Sequence, residues 1–392
     1  MKYNPKNEHK VDTQRPEIQS RIAEARALYQ DFVSEFRDLN LRGGASINRA
    51  YESATNKGIF EKASEMRELI FGRDTTTYGV SYISDSCVSG CTYCPIRRDS
   101  VDVETGKPIK RKRLSLDGFI KDTEEIIKDG HSHICFLAGD GDLTTKYPER
   151  IIPYLQVLDQ MGEVDEIILN VTPQTTETFK TWKDAVKNKS LQFRVFQETY
   201  NLEIYKQKHP FGPKADYNFR RASQSRAMDA GFDNYGFGVL LGLNPHFVQE
   251  LEDLVRHTQE LTAKYNKPPA RICLPTANTL KGVNNVEEQI HVLPQANELA
   301  YALSKLAMPE VSIVSSERDT PEMLRILDRY ATNRTVDVQP SVGGNLQQTL
   351  SKNSLLKQTT VHPTSPEATR EDYAKRGYNL LLKYYVEEIK IK

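Results

Sequence analysis

Cysteine is scarce in this sequence, with five among 392 residues, and tryptophan occurs once. So few cysteines, three of them crowded together, do not make the disulfide framework of a secreted protein. An excess of charge of either sign is missing too, because 53 lysines and arginines face 53 aspartates and glutamates. No global field is left to recruit nucleic acid or an anionic membrane. No apolar run approaches the roughly 20 residues needed to cross a bilayer. The opening MKYNPKNEHKVDTQRPE lacks the apolar core of a signal peptide. What remains is a protein of a reducing compartment, read as the cytoplasm. Its length suits one large domain or two modest ones.

The first 75 or so residues carry helical periodicity. Ile22, Ala25, Leu28 and Phe32 share one face, Phe60, Ala63, Met66 and Ile70 another, and Gly43 and Gly44 break the pattern between them. Eight short apolar runs follow: TYGVSYI (77–83), HICFL (133–137), EIILN (166–170), LQFRVFQ (191–197), YGFGVLLGL (235–243), RICL (271–274), VSIV (311–314) and TVDVQ (335–339). Amphipathic stretches at 115–130, 148–161, 215–231, 246–265 and 296–307 fall between them. Alternation of this kind predicts an α/β fold, a single parallel (β/α)8 TIM barrel, with a doubly wound sheet as the alternative. The expected division is an N-terminal helical extension over 1–75, the barrel over 76–345 and a C-terminal helical segment over 346–392.

Three of the cysteines, Cys87, Cys91 and Cys94, stand in SDSCVSGCTYCPIRRDS with spacing C-x3-C-x2-C. They begin four residues after the first strand, in the first βα loop, where barrel chemistry is expected. Thiolates at this density suit zinc, an iron–sulfur cluster or copper(I). Zinc in a structural site wants four ligands, and Cys135 and Cys273 sit inside strands, where they read as small core residues. Three thiolates can instead hold three irons of a 4Fe–4S cluster and leave the fourth iron open.

With aromatic Tyr93 directly before the last cysteine, this motif resembles the signature of the radical S-adenosylmethionine (SAM) enzymes. The resemblance implies a 4Fe–4S cluster on Cys87, Cys91 and Cys94, with SAM chelating the open iron. In LAGDGD (137–142), Gly139 and Asp140 match the turn that receives the SAM amine, and Asp142 competes for that role. Tyr93 offers a face for adenine. Gly238, in a strand with three glycines, matches the strand that passes the adenine, although glycines that relieve barrel packing explain it equally well.

The block FQETYNLEIYKQKHPFGPKADYNFRRASQSRAMDAGFDNYGFGVLLGL (196–243) narrows the resemblance to the radical SAM amino-acid lyases that act on tyrosine or tryptophan. Gln197, Glu198 and Arg220 match motif positions there, and an arginine at that helix start suits a carboxylate. The substrate half departs from the pattern. CLPTANTLKG stands where those lyases carry arginines, and SSERD places Glu317 where they have an arginine, with Arg318 one residue on. Ser315, Ser316, Arg318, Thr276 and Asn278 are the expected substrate contacts. No cysteine follows Cys273, so the second cluster of the hydrogenase-maturation lyase is not encoded.

The expected function is reductive cleavage of SAM, hydrogen abstraction from an amino acid or related small amine, and carbon–carbon cleavage or rearrangement. Expected partners are a small-molecule substrate and an electron donor such as flavodoxin or ferredoxin, with no nucleic acid and no membrane. Modification of a peptide or cofactor precursor is one alternative; a non-catalytic zinc protein is another. The loop RRDSVDVETGKPIKRKRL (97–114), with seven basic residues, reads as a solvated surface or as a docking site for an acidic partner.

Overall fold

The computed structural model describes residues 11–103, 105–141, 147–278, 283–284, 290–349 and 359–382. Asp142, one of the two carboxylates weighed above, lies outside them. Eight parallel strands form the barrel: β1 (Asp74–Ser84), β2 (His133–Ala138), β3 (Glu166–Asn170), β4 (Ser190–Arg194), β5 (Asn234–Gly238), β6 (Arg271–Cys273), β7 (Ser312–Ser315) and β8 (Asn333–Thr335). Each pairs with the next, and β8 closes the ring on β1 with Thr76 opposite Asn333. The doubly wound alternative is thereby set aside. The last strand is displaced from its expected place at 335–339, since Asn333 and Arg334 pair with Val314 and Ser315.

Helices α1 (Pro16–Phe36), α2 (Gly44–Asn56) and α3 (Ile59–Phe71) form the N-terminal extension. The stripe Ile22, Ala25, Tyr29 and Phe32 of α1 is buried in one apolar core with Leu299, Ala300 and Leu303. The extension therefore shares the barrel's outer core. In the barrel, α4 (Leu116–Lys128) follows the cysteine loop, α5 (Tyr147–Gln160) follows β2 and α6 (Thr176–Asp184) follows β3. Ser115 caps α4 by accepting from Gly118 N at 3.1 Å. The single helix expected over 215–231 is two, α8 (Tyr217–Arg221) and α9 (Ser223–Asp229), preceded by α7 (Leu202–Lys208). The later layer is α10 (Phe247–Tyr265), α11 (Pro294–Ala307) and α12 (Pro321–Leu327).

Within the C-terminal segment expected to be helical, α13 (Pro366–Lys375) is a helix, the chain then turns at Gly377 into a ninth strand of the sheet, β9 (Asn379–Leu381), and 383–392 lie outside the described residues. β9 lies parallel to β1, Asp74 opposite Asn379, and Leu380 and Leu382 are buried with Val336 and Tyr373. Among the described residues no helix is long and apolar enough to cross a membrane.

Strand alternation decides what fills the barrel. At its N-terminal end Arg271 Nη1 donates to Glu166 at 2.6 Å and to Gln192 at 3.1 Å, and Arg271 Nη2 lies 3.0 Å from His133 Nδ1. Above this polar layer sit Tyr78, Cys135, Ile168, Cys273 and Val314. The expectation that Cys135 and Cys273 are buried core residues agrees with that placement. His131 is likewise structural, with Nδ1 2.9 Å from Thr77 Oγ1.

Candidate active site

Two chambers open one above the other at the C-terminal ends of the strands, and they share Leu137, Asn170, Phe196, Arg318 and Thr359. The outer chamber is lined by all three clustered cysteines, by Asp140 and by Glu198, Lys214 and Arg220. The cysteine loop is stitched in place by its neighbours. Gly90 N donates to the Phe211 carbonyl at 3.0 Å and Thr92 N to the Lys208 carbonyl at 2.9 Å. Arg111, from the basic loop, donates to the carbonyls of Asp85 at 3.1 Å and Ile96 at 3.0 Å. Elsewhere in that loop Lys107, Lys110 and Lys112 are exposed, while Ser100 is buried.

The thiols are free, and burial pushes each up to about 12. Gly139 lets the turn after β2 close on this loop: its N–H donates to the Ser84 carbonyl at 2.8 Å, and a Cβ there would lie 2.5 Å from the Ser86 carbonyl. Asp140 then faces the chamber. Its Oδ2 accepts from Ser89 Oγ at 2.8 Å and its Oδ1 from Thr172 Oγ1.

On the opposite wall, Glu198 holds a left-handed backbone with φ of 73°, an uncommon state for a residue with a Cβ. Its carboxylate accepts from Lys214 Nζ at 2.5 Å, with Arg220 Nη2 at 3.5 Å, and Arg220 Nε donates to the Phe196 carbonyl at 2.6 Å. Lys214 also lies 5.6 Å from the centre of the Tyr93 ring. Tyr93 Oη is 3.0 Å from His209 Nε2, and His209 Nδ1 is 2.8 Å from the Tyr205 carbonyl. A carbonyl can only accept, so Nδ1 carries the proton and Tyr93 donates to Nε2. Burial and the nearby Lys214 hold His209 down at about 2, so it stays neutral.

Several expected site residues stand elsewhere. Phe196 and Glu198 line the outer chamber, whereas Gln197, between them, does not. Gly238 lines neither chamber; a Cβ there would meet the Cys273 carbonyl at 1.9 Å, so barrel packing accounts for it. Ser316 and Arg318 line the inner chamber, but Ser315 turns the other way and donates to Asp328 Oδ1 at 3.1 Å. Thr276 is spent on Asp319 at 3.3 Å, while Asn278 lines the outer chamber and donates to the Arg318 carbonyl at 3.2 Å. Glu317 points away from both chambers. It accepts from Val338 N at 2.8 Å and Thr364 N at 2.9 Å, fixing the segment that brings Thr359 and Val361 over the inner chamber. Lys214, His209 and Arg194 were not assigned from sequence, although HPFGPK (209–214) stands inside the block that carried the resemblance.

With this geometry in hand, comparison with known proteins is informative. No family model matches the chain. It is 24% identical over 265 residues to 2-iminoacetate synthase of Salmonella typhimurium, a match covering 67% of this chain and 66% of that protein. It is 23% identical over 219 residues to the [FeFe] hydrogenase maturase subunit HydE of Thermotoga maritima, covering 56% of this chain and 57% of HydE. The chain thus spans just under two thirds of the length of the synthase it matches. Among solved structures, the hydrogenase maturase HydG superposes with a TM-score of 0.75 at 21% identity, covering 96% of this chain and 82% of that one. Methylornithine synthase (PylB) superposes with a TM-score of 0.66 at 14% identity, covering 92% and 99%. In sequence and in fold the chain is similar to members of the radical SAM superfamily.

The cofactors of radical SAM proteins are a 4Fe–4S cluster and SAM, and the donor set here fits them. Three soft thiols with no fourth beside them leave one iron open. Among the described residues no three His, Cys, Asp or Glu side chains are close enough to hold a single metal ion. The three thiols line one cavity, as a group that takes three thiolate ligands requires. The same chamber offers a carboxylate for an amine, two cations for a carboxylate and an aromatic ring.

Proposed function

We propose that this chain is a radical SAM enzyme of the amino-acid lyase type, acting on an amino acid or related small amine. The observation that carries the reading is the outer chamber, where three free thiols face Asp140, Glu198, Lys214 and Arg220 at the strand ends. The chemistry supplied by the cluster and SAM, when bound and reduced, is SAM cleavage to methionine and a 5′-deoxyadenosyl radical that abstracts a hydrogen atom.

The chain's own residues do the rest. Cys87, Cys91 and Cys94 hold the cluster. Asp140, positioned by Ser89 and Thr172, accepts from the SAM amine. Arg220 and Lys214, organised by Glu198, attract its carboxylate. Tyr93, oriented by His209, presents a ring to the cofactor. Phe196 and Arg318, shared by the two chambers, stand between cofactor and substrate. Ser316, Arg318 and Asn278 are the contacts left for the substrate, with Arg318 suited to a carboxylate. Reduction requires a donor of the flavodoxin or ferredoxin kind.

Reconstitution with iron and sulfide under anaerobic conditions tests this. The expected result is about four irons per chain, a reduced-state electron paramagnetic resonance signal that shifts on adding SAM, and 5′-deoxyadenosine on adding dithionite. Zinc bound one per chain, with no effect of SAM on any signal, contradicts the proposal.

A further inference from the structure

Arg194 ends β4 and turns into the barrel, where it is only 2% exposed. Gly236 on the neighbouring strand makes room for its stem, since a Cβ there would lie 3.2 Å from Arg194 Cγ and 3.3 Å from Cδ. One guanidinium nitrogen, Nη2, donates to Cys135 Sγ at 3.2 Å, and the group lies over the Tyr78 ring, 4.2 Å from its centre. Nε and Nη1 have no hydrogen-bond partner among the described residues. Neither neighbour neutralises the charge, because burial keeps Cys135 a thiol rather than a thiolate. Glu166 feels the Arg194 charge through space but is engaged by Arg271 at 2.6 Å. A buried cation with idle donors and no carboxylate in contact among the described residues is costly, and a ligand that completes it relieves that cost.

The chamber above Arg194 has the matching character. No aspartate or glutamate is among the residues that line it, while two guanidiniums are, Arg194 and Arg318. The hydrogen bonds of Arg318 among the described residues run through its backbone, and its guanidinium feels Glu198 and Asp319 through space rather than by a hydrogen bond. Tyr82 adds a buried hydroxyl without a partner, and Val80, Phe196 and Val314 supply apolar walls. The two arginines stand at different depths: Arg194 contacts the Cys135 and Tyr78 layer, and Arg318 borders the outer chamber.

We propose that the inner chamber binds a small molecule with two carboxylates, an acidic amino acid or close analogue, one carboxylate on Arg194 and the other on Arg318. This rests on the substrate reading of the inner chamber given above and deepens it. Neutral aromatic amino acids leave Arg194 buried and unpaired, so the chamber discriminates against them.

The test is isothermal titration of the cluster-loaded protein with SAM, using L-aspartate, L-glutamate and L-2-aminoadipate against L-asparagine, L-glutamine and L-tyrosine. At least one acid should bind ten times more tightly than its amide or tyrosine. Arg194→Gln should remove that preference, and Arg194→Lys should restore part of it. A ligand-free Arg194→Gln protein should melt at or above the wild-type temperature, because it loses an uncompensated buried charge. Equal binding of acids and amides, binding of none of the acids, or an unchanged preference in Arg194→Gln overturns the proposal. A fall of several degrees in melting temperature with the acid preference intact marks Arg194 as structural and overturns it too. Titration needs no turnover. Acid binding without 5′-deoxyadenosine formation therefore counts against the proposed function alone, and the reverse against the dicarboxylate alone.

Discussion

The outer and inner chambers share a wall but treat charge in opposite ways. In the outer one nearly every charged group already has a partner: Glu198 takes Lys214, Asp140 takes Ser89 and Thr172, and Tyr93 is tied to His209. Among the described residues that line the inner one there are two guanidiniums and no carboxylate, the carboxylate felt most by Arg318 being Glu198 of the outer chamber. A site for a fixed cofactor can be preorganised by its own hydrogen bonds, because the same ligand always arrives. A site whose groups wait unpaired defers their satisfaction to the substrate, and that deferral is a means of selection.

The comparison breaks most completely at the cluster. Cys91→Ala should reduce bound iron by more than half and abolish 5′-deoxyadenosine formation, read by iron assay and mass spectrometry. Next comes the ion network. Glu198→Gln leaves Lys214 and Arg220 without their anion, with all three side chains at most 14% exposed. Loss of one member of such a buried pair costs about 3–5 kcal/mol, seen as a lower denaturation midpoint together with weaker SAM binding. Adding Lys214→Met to that variant should cost less than the sum of the single changes. A smaller effect is expected from Asp140→Asn, which keeps the shape but removes a charged acceptor worth about 1.5–3 kcal/mol. It should weaken SAM about tenfold or more by titration, while binding in the inner chamber is little changed.

The smallest effects concern pH. Burial lifts Glu250 and Glu317 from an ordinary 4.5 to about 7. The folded state then holds protons that the unfolded state has released, so stability falls as pH rises from about 4.5 to about 7. Each group contributes at most about 1.4 kcal/mol per pH unit. Glu250→Gln should flatten that decline in a series of melting temperatures. His209, held near 2, should add no step to a pH–rate profile between 5 and 8.

Much of the barrel was legible because buried parallel strands read as short apolar runs, and EIILN matches β3 residue for residue. That the cysteine loop, Asp140, Glu198 and Arg220 line one chamber was legible because each follows a strand end or opens a helix. Gln197, Ser315 and Thr276 were misplaced for one physical reason. Neighbouring residues on an extended chain face opposite ways, and register alone says which faces in. Glu317 and Arg318 show the same rule at a loop: the acid turns outward to accept from Val338 N and Thr364 N, and the arginine turns to the cavity. Arg194 was hidden because an arginine inside LQFRVFQ carries no sign of its solitude until strands from across the barrel close around it. β9 was read as helix because NLLLKYY has the apolar content of either, and its pairing with β1 decides.

SAM in the outer chamber and a small amino acid or amine in the inner one is the arrangement we propose. Its most direct test is 5′-deoxyadenosine formation by the anaerobic, cluster-loaded protein with SAM and dithionite as each common amino acid is added in turn. One of them should stimulate formation well above the basal rate, with the fragments identifying the bond broken. SAM left uncleaved under every condition, with iron content the same in wild type and Cys91→Ala, would contradict it.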